Sequence, residues 1–282
     1  MTATANRTHK DSMFRDLFGS PERKGNALEL YNALAGTDYT DPGELELTTL
    51  DDVIYMNVKN DVSFVVGDEM VLFEHQSTRN PNMPLRGLAY FARLYTARAE
   101  RMGANLYGSR LIKLPTPRYV VLYSGARELP DREVVRLSDA FDGPNPAVEV
   151  VCEVVNINAG HNPEVAKACP ALAGYARFVE LVRMYNDGGQ MSLADAVAAA
   201  IEQCVEEGHL ADYLKEKRAE VFDMFLTEYD AERQRELDRQ EGIEQGIDIA
   251  LSRLVELGAI TPEQAAEQKR ELAATHEPPQ TA

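Results

Sequence analysis

Two short apolar runs, Val62 to Val66 and Met70 to Phe73, flank Gly67-Asp68-Glu69, and no other stretch constrains the fold as tightly. Runs this short, rich in β-branched and aromatic residues and separated by a glycine-containing turn, predict an antiparallel hairpin. The second run does not close on a turn residue. It continues into Glu74-His75-Gln76, so a buried strand ends in a carboxylate, an imidazole and an amide.

Side chains alternate faces along a strand, so Glu74 and Gln76 project together while Phe73 and His75 point the other way. Where Asp61 falls depends on the loop. A two-residue turn at Gly67-Asp68 sets Asp61 opposite Glu74, and a turn at Asp68-Glu69 sets it opposite Gln76. A three-residue loop without a bulge sets it opposite His75 and scatters the group. Either even-length loop brings one acid from each strand onto a common face, with neighbours roughly 5 Å apart. Carboxylates that close repel unless a proton or a cation sits between them. Oxygen ligands of this kind suit Mg²⁺ or Mn²⁺, which take one or two carboxylates and leave other positions to water and phosphate. The chemistry expected of such a site is phosphodiester hydrolysis.

The charge distribution bears on a nucleic-acid partner. The 282-residue chain carries a formal charge of -17, which by itself opposes phosphate binding. Residues 1–127, however, hold 15 Lys+Arg and 15 Asp+Glu, whereas residues 128–282 hold 14 and 31. All the excess acid is C-terminal. Residues 77–118 contain Arg79, Arg86, Arg93, Arg98, Arg101, Arg110, Lys113 and Arg118 against the single acid Glu100, so a basic window opens directly after the Glu-His-Gln triplet.

Around the hairpin, the pattern predicts a helix from Lys24 stopped by Gly36, a strand in Leu45–Tyr55, a helix over 83–102, a strand over Arg118–Gly125 and another over Ala147–Asn158. The helix over 83–102 is amphipathic, with Leu85, Leu88, Ala92, Tyr95 and Ala99 on the expected core side and Arg86, Arg93 and Arg101 within about 80° of each other on another. Beyond Pro163 the pattern is helical, with Thr261 as an N-cap and Pro262 at a first helical position. The expected class is α/β, with a core at 1–162, an acidic helical region at 163–230 packing on or beside it, and a helical acidic tail at 231–282. No apolar run is long enough to span a bilayer and the first residues are polar, so a cytoplasmic protein without membrane attachment is expected. Cys152, Cys169 and Cys204 lack metal-site spacing and read as reduced thiols.

Asp61 followed by Glu74-x-Gln76 on the next strand, preceded by one helix and followed by an arginine-bearing one, resembles the PD-(D/E)XK nuclease superfamily. The longer string from Asn60 to Tyr95, with "DSMFRDLF" upstream and "RYVVLYSG", "LSDAF" and "NIN" downstream, resembles its recombination-promoting nuclease (Rpn) and putative transposase family over about Asp11 to Tyr185. The resemblance implies a restriction-endonuclease-like core and metal-dependent DNA cleavage linked to recombination or transposition. It implies Asp61 and Glu74 as metal ligands, with the backbone carbonyl of His75 as a third and Glu29 as a water-mediated one, for which Glu22 competes.

The superfamily's usual lysine is replaced by Gln76, which carries no charge and cannot transfer a proton. Transition-state charge must then be met by the metal or another cation: Lys59, two residues before Asp61, or Arg79 or Arg86. The expected DNA contacts are Arg79, Arg86, Arg93 and Arg101. Blander readings compete with these. Asp61 could cap a turn, His75 could be a packed histidine, the arginines could form a solvated face, and Tyr90 suits the core better than a stacked base. Two function classes therefore stand: an Mg²⁺-dependent DNA endonuclease, and a catalytically inactive DNA-binding or assembly protein that keeps the nuclease fold. The helical C-terminal region is a candidate homodimer contact or partner-binding arm.

Overall fold

The apolar runs on either side of Gly67 form adjacent antiparallel strands, and the rest of the fold is built outward from them. The structure of the chain, a computed structural model, describes residues 13–48, 61–186, 191–257 and 259–276, and the side chains among them outside 228–245, 256 and 270–276. Six strands, β1 (Glu46–Leu47), β2 (Val62–Val66), β3 (Glu69–Gln76), β4 (Thr116–Tyr123), β5 (Arg132–Arg136) and β6 (Val151–Asn156), form one mixed sheet in the order β1-β2-β3-β4-β6-β5. The central strands β3, β4 and β6 are mutually parallel, whereas β1, β2 and β5 pair antiparallel at the flanks. The Val71–Phe73 and Tyr119–Tyr123 runs are apolar on both faces because helices cover both sides of the sheet.

One face is covered by α3 (Met83–Arg101), the crossover between the parallel strands β3 and β4. The opposite face carries α1 (Met13–Gly19), α2 (Lys24–Ala35), α4 (Pro163–Ala168), α5 (Pro170–Asn186), α6 (Leu193–Glu207), α7 (Ala211–Glu216) and the start of α8 (Arg218–Glu256). Phe14, Leu30, Phe64, Phe73, Leu122, Phe178, Ile201 and Val221 belong to one buried cluster there, so residues 163–221 complete the same core as α1 and α2. Lys217, which meets Asp16 at 3.0 Å, ties the start of α8 back to α1. Gly36 ends α2 in the left-handed conformation. At α9 (Pro262–His276), Thr261 and Gln264 bond each other's backbone N–H reciprocally, a capping box. The three cysteines are buried and unbridged. Among the described residues no helix is long and apolar enough to cross a membrane.

Two expectations need correction, and a third lies largely outside the described residues. The core side of α3 is Met83, Gly87, Tyr90, Phe91, Leu94 and Ala99; of the side named from the sequence, Ala99 is buried and Leu88 and Tyr95 half-buried, while Leu85 and Ala92 are exposed. The cause is Gly87, which lies so close to the Tyr119 ring that a Cβ would come within 2.5 Å of it; the helix seats itself through its smallest residue. β5 was not anticipated, and β6 begins only at Val151 rather than Ala147. Most of the strand expected over Leu45–Tyr55 lies outside the described residues, its described part being Glu46–Leu47.

Candidate active site

Of the possible hairpin registers, the observed one turns at Gly67-Asp68: Val66 pairs with Glu69 and Val62 with Phe73. Gly67 adopts φ +56°, as the first position of a two-residue hairpin turn requires, and a Cβ there would also collide with the Tyr39 hydroxyl. One step beyond Val62, Asp61 meets Glu74. The two acids are clasped in a crossed manner. The backbone N–H of Asp61 donates to Glu74 Oε1 at 3.1 Å, and the backbone N–H of His75 donates to Asp61 Oδ2 at 2.7 Å. Glu74, with 1% of its surface exposed, points to the α3 side of the sheet, as do Met70 and Leu72.

The site lies at the carboxyl end of the parallel strands, where Gln76, Tyr123 and Asn156 stand in register. In open α/β sheets this is the edge that holds ligands. Loops meet there closely: Gly125 passes so near the Ser77 carbonyl and the Tyr123 hydroxyl that no side chain would fit. Asn156, Asn158 and Asn162 bond the surrounding backbone at Leu129, Gly125 and Asp131 and hold the edge in shape.

Burial pushes the Glu74 carboxyl well above the usual carboxylate range, and the neighbouring Asp61 charge pushes it further, against the pull of Arg86 and the Asp61 backbone N–H. Burial likewise raises Asp61, against the His75 backbone N–H, Arg86 and Arg15. The direct counter-ion is Arg86, whose Nη2 lies 2.9 Å from Glu74 Oε2. Arg86 is steadied by the Tyr90 hydroxyl, which accepts from Nη2 at 2.8 Å and Nε at 3.2 Å. Tyr90 is 3% exposed and cannot stack on a base.

The other sequence candidates are dispersed. Gln76 is half-buried on the Glu74 side of β3. The His75 imidazole is on the reverse face, where Nε2 lies 2.7 Å from Ser124 Oγ and 3.2 Å from the Tyr175 hydroxyl, and its ring stacks on Phe14. Burial, with the Arg183 charge adding to it, pushes its pKa down to about 4. Only the His75 backbone belongs to the acid pair. Glu29 is exposed on α2, across the sheet, and Glu22 is exposed as well; neither joins Asp61 and Glu74. Lys59 lies outside the described residues.

The arginines do not form one open surface. Arg79 pairs with Glu133, Arg101 with Glu46 at 2.9 Å, and Arg118 with Glu69 at 2.7 Å. Arg93 is half-buried, and its Nη1 has no hydrogen-bond partner among the described residues. Among those residues no group of three or more His, Cys, Asp or Glu gathers into a metal-binding cluster. Among the described residues the acid pair is Asp61 and Glu74 alone.

Sequence reasoning missed Arg15 as a cation bearing on Asp61, and Ser124 and Tyr175 as the partners that fix His75. Arg15 lies within the "DSMFRDLF" string, but nothing local to that string shows which element it faces. No family model, no curated protein and no solved structure matches this chain.

Proposed function

We propose that this chain is a metal-dependent DNA endonuclease of the PD-(D/E)XK type, hydrolysing phosphodiester bonds in recombination or transposition, and that its relatives are the Rpn nucleases. The observation that carries the reading is the Asp61–Glu74 clasp at the carboxyl edge of the parallel strands. A buried carboxyl group and a half-buried one, both pushed upward, are costly for a fold to keep side by side, and they become favourable when a cation is held between them.

The donor set fits Mg²⁺ or Mn²⁺. Asp61 and Glu74 supply two hard oxygens, and an ion of this class accepts one or two carboxylates and completes its shell with water and phosphate. A bound divalent ion would supply the Lewis acid that polarises the scissile phosphoryl oxygen and lowers the pKa of an attacking water. The backbone N–H groups of Asp61 and His75 fix the carboxylates before substrate arrives. Gln76, neutral and on the same side of β3, orients a water or a phosphate oxygen through its amide. Among the described residues Arg86 is the cation bonded to the acid pair, and it would take the role that the missing lysine plays elsewhere in the superfamily.

A second reading has an observation in its favour. Glu74 already has a cation in Arg86, as suits a protein that keeps the nuclease fold without turnover. Supercoiled plasmid incubated with the purified chain in Mg²⁺ or in EDTA separates the two. Nicking that requires the metal and is abolished in Asp61→Asn supports the endonuclease. Retarded plasmid that stays unnicked in Mg²⁺ and in Mn²⁺ rejects it.

A further inference from the structure

Arg86 and Glu74 form an ion pair with unequal freedom. Glu74 is 1% exposed, whereas the Arg86 side chain is 38% exposed. The carboxylate has nowhere to go, whereas the arginine side chain reaches the surface in part. The contact also uses the outer oxygen of Glu74: Oε1 is taken by the Asp61 backbone N–H, and Oε2 is the atom Arg86 holds. That oxygen is the one left for a cation shared with Asp61.

We propose that Arg86 is a resident cation that occupies the place of the divalent ion at the Asp61–Glu74 pair, and that ion binding displaces its guanidinium outward, where it becomes a phosphate ligand. This inference rests on the metal-site reading above and adds to it a direct competition between a side chain and the metal.

Three features of the chain suit this exchange. Arginine remains charged at any working pH, so the pair cannot be relieved by losing the arginine's proton. Its planar fork, once released, matches two oxygens of a phosphate. Tyr90 is a second anchor: its hydroxyl accepts from the Nη2 shared with Glu74 and also from Nε at 3.2 Å, a contact that does not use the shared nitrogen, and its ring lies 5.7 Å from the guanidinium carbon. The protein without metal therefore keeps a cation on Glu74, and the same residue is delivered to substrate only when the ion has arrived. A permanent structural salt bridge would predict the opposite, since losing it would loosen the site and weaken the metal.

Mn²⁺ binding to the full chain without DNA, followed by electron paramagnetic resonance of the free ion, tests the exchange. Wild type, Arg86→Gln, Arg86→Lys and Asp61→Asn are compared, and circular dichroism verifies that each is folded. Removing one charge-assisted hydrogen bond that competes with the ion is expected to tighten Mn²⁺ binding in Arg86→Gln by about tenfold to hundredfold. Arg86→Lys, which keeps the charge but loses the fork, should fall between it and wild type. Plasmid nicking by Arg86→Gln should slow even at saturating Mn²⁺, since the phosphate ligand is gone. Unchanged or weaker Mn²⁺ binding in both Arg86 variants, with wild-type binding still dependent on Asp61, overturns the exchange and leaves the metal site standing. Wild-type binding that is absent, or indifferent to Asp61→Asn, removes the metal site and the exchange with it.

Discussion

Arg86→Met, in the protein without metal, isolates what the Glu74 ion pair contributes to the fold. Methionine keeps much of the aliphatic length that packs along Tyr90 but carries no charge. Removing one partner of a fully buried pair costs about 3–5 kcal/mol. Here the arginine side chain is 38% exposed, so solvent already screens it, and Glu74 can escape by taking a proton; about 2 kcal/mol is the expected loss near neutral pH. For a chain of this size that is a fall in Tm of roughly 3–4 °C. The loss must depend on pH in one direction. Because the folded carboxyl is raised above its unfolded value, the native state holds more protons than the unfolded one, and stability falls as pH rises through that window. Without Arg86 the carboxyl rises further, so the variant falls more steeply. The two proteins should converge toward about pH 5, near the ordinary carboxylate range, and diverge toward about pH 8. Urea unfolding at a series of pH values measures the difference directly. A destabilisation equal at both ends would refute the argument and assign the contribution of Arg86 to packing on Tyr90.

On the reverse face of β3 the sign is opposite: His75, pushed down to about 4, favours the fold while neutral, so its contribution is full above about pH 6.5 and is lost as pH falls toward 4. His75→Gln should remove on the order of 2–3 kcal/mol of acid sensitivity across that interval, read from the same urea series. Gly87→Ala should destabilise by about 1 kcal/mol net, overpacking against Tyr119 exceeding the gain in helix propensity, whereas Gly246→Ala, in α8 with open space around it, should stabilise by up to about 1 kcal/mol; chemical unfolding gives both signs. Tyr119→Phe removes a buried hydroxyl with no partner among the described residues, and should raise the urea midpoint by the equivalent of about 1 kcal/mol.

The hairpin was legible because period-two alternation and a glycine turn are local signals. The meeting of Asp61 with Glu74 was legible only as one of several registers, since the choice between Gly67-Asp68 and Asp68-Glu69 turns is settled by contacts outside the hairpin, among them the Tyr39 hydroxyl that closes on Gly67. β5 escaped notice for a physical reason. It lies at the sheet edge, with Arg132 and Arg136 exposed and only Val135 buried, so it lacks the apolar run by which a central strand announces itself. The face of α3 was misread because an apolar tally weights Leu85 heavily and Gly87 hardly at all, while packing selects the residue whose smallness lets the helix approach Tyr119.

That small rotation decides the electrostatics as well. With Gly87 against the sheet, the residue before it turns toward β3, and Arg86 reaches a carboxylate that is twelve positions earlier in the chain. The neighbouring cations find acids that are equally remote: Arg79 meets Glu133 of β5, Arg101 meets Glu46 of β1, and Arg118 meets Glu69 of β3. None of those acids lies in the 77–118 window, so the net charge of that window describes a stretch of chain and not a surface. A phosphate backbone approaching the α3 face would have to compete with the chain's own carboxylates for Arg79, Arg86 and Arg101, while Arg118 and Glu69 lie on the opposite face, where the Tyr31 hydroxyl of α2 donates to Glu69. The competition is weakest where the acid has an alternative cation to take up, and of the three acids and Glu74 only Glu74 is paired with a second carboxylate that would share one. On the proposed nuclease reading, the sheet edge at Glu74 is where metal binding and phosphate binding would favour each other, and where a DNA contact along α3 would begin.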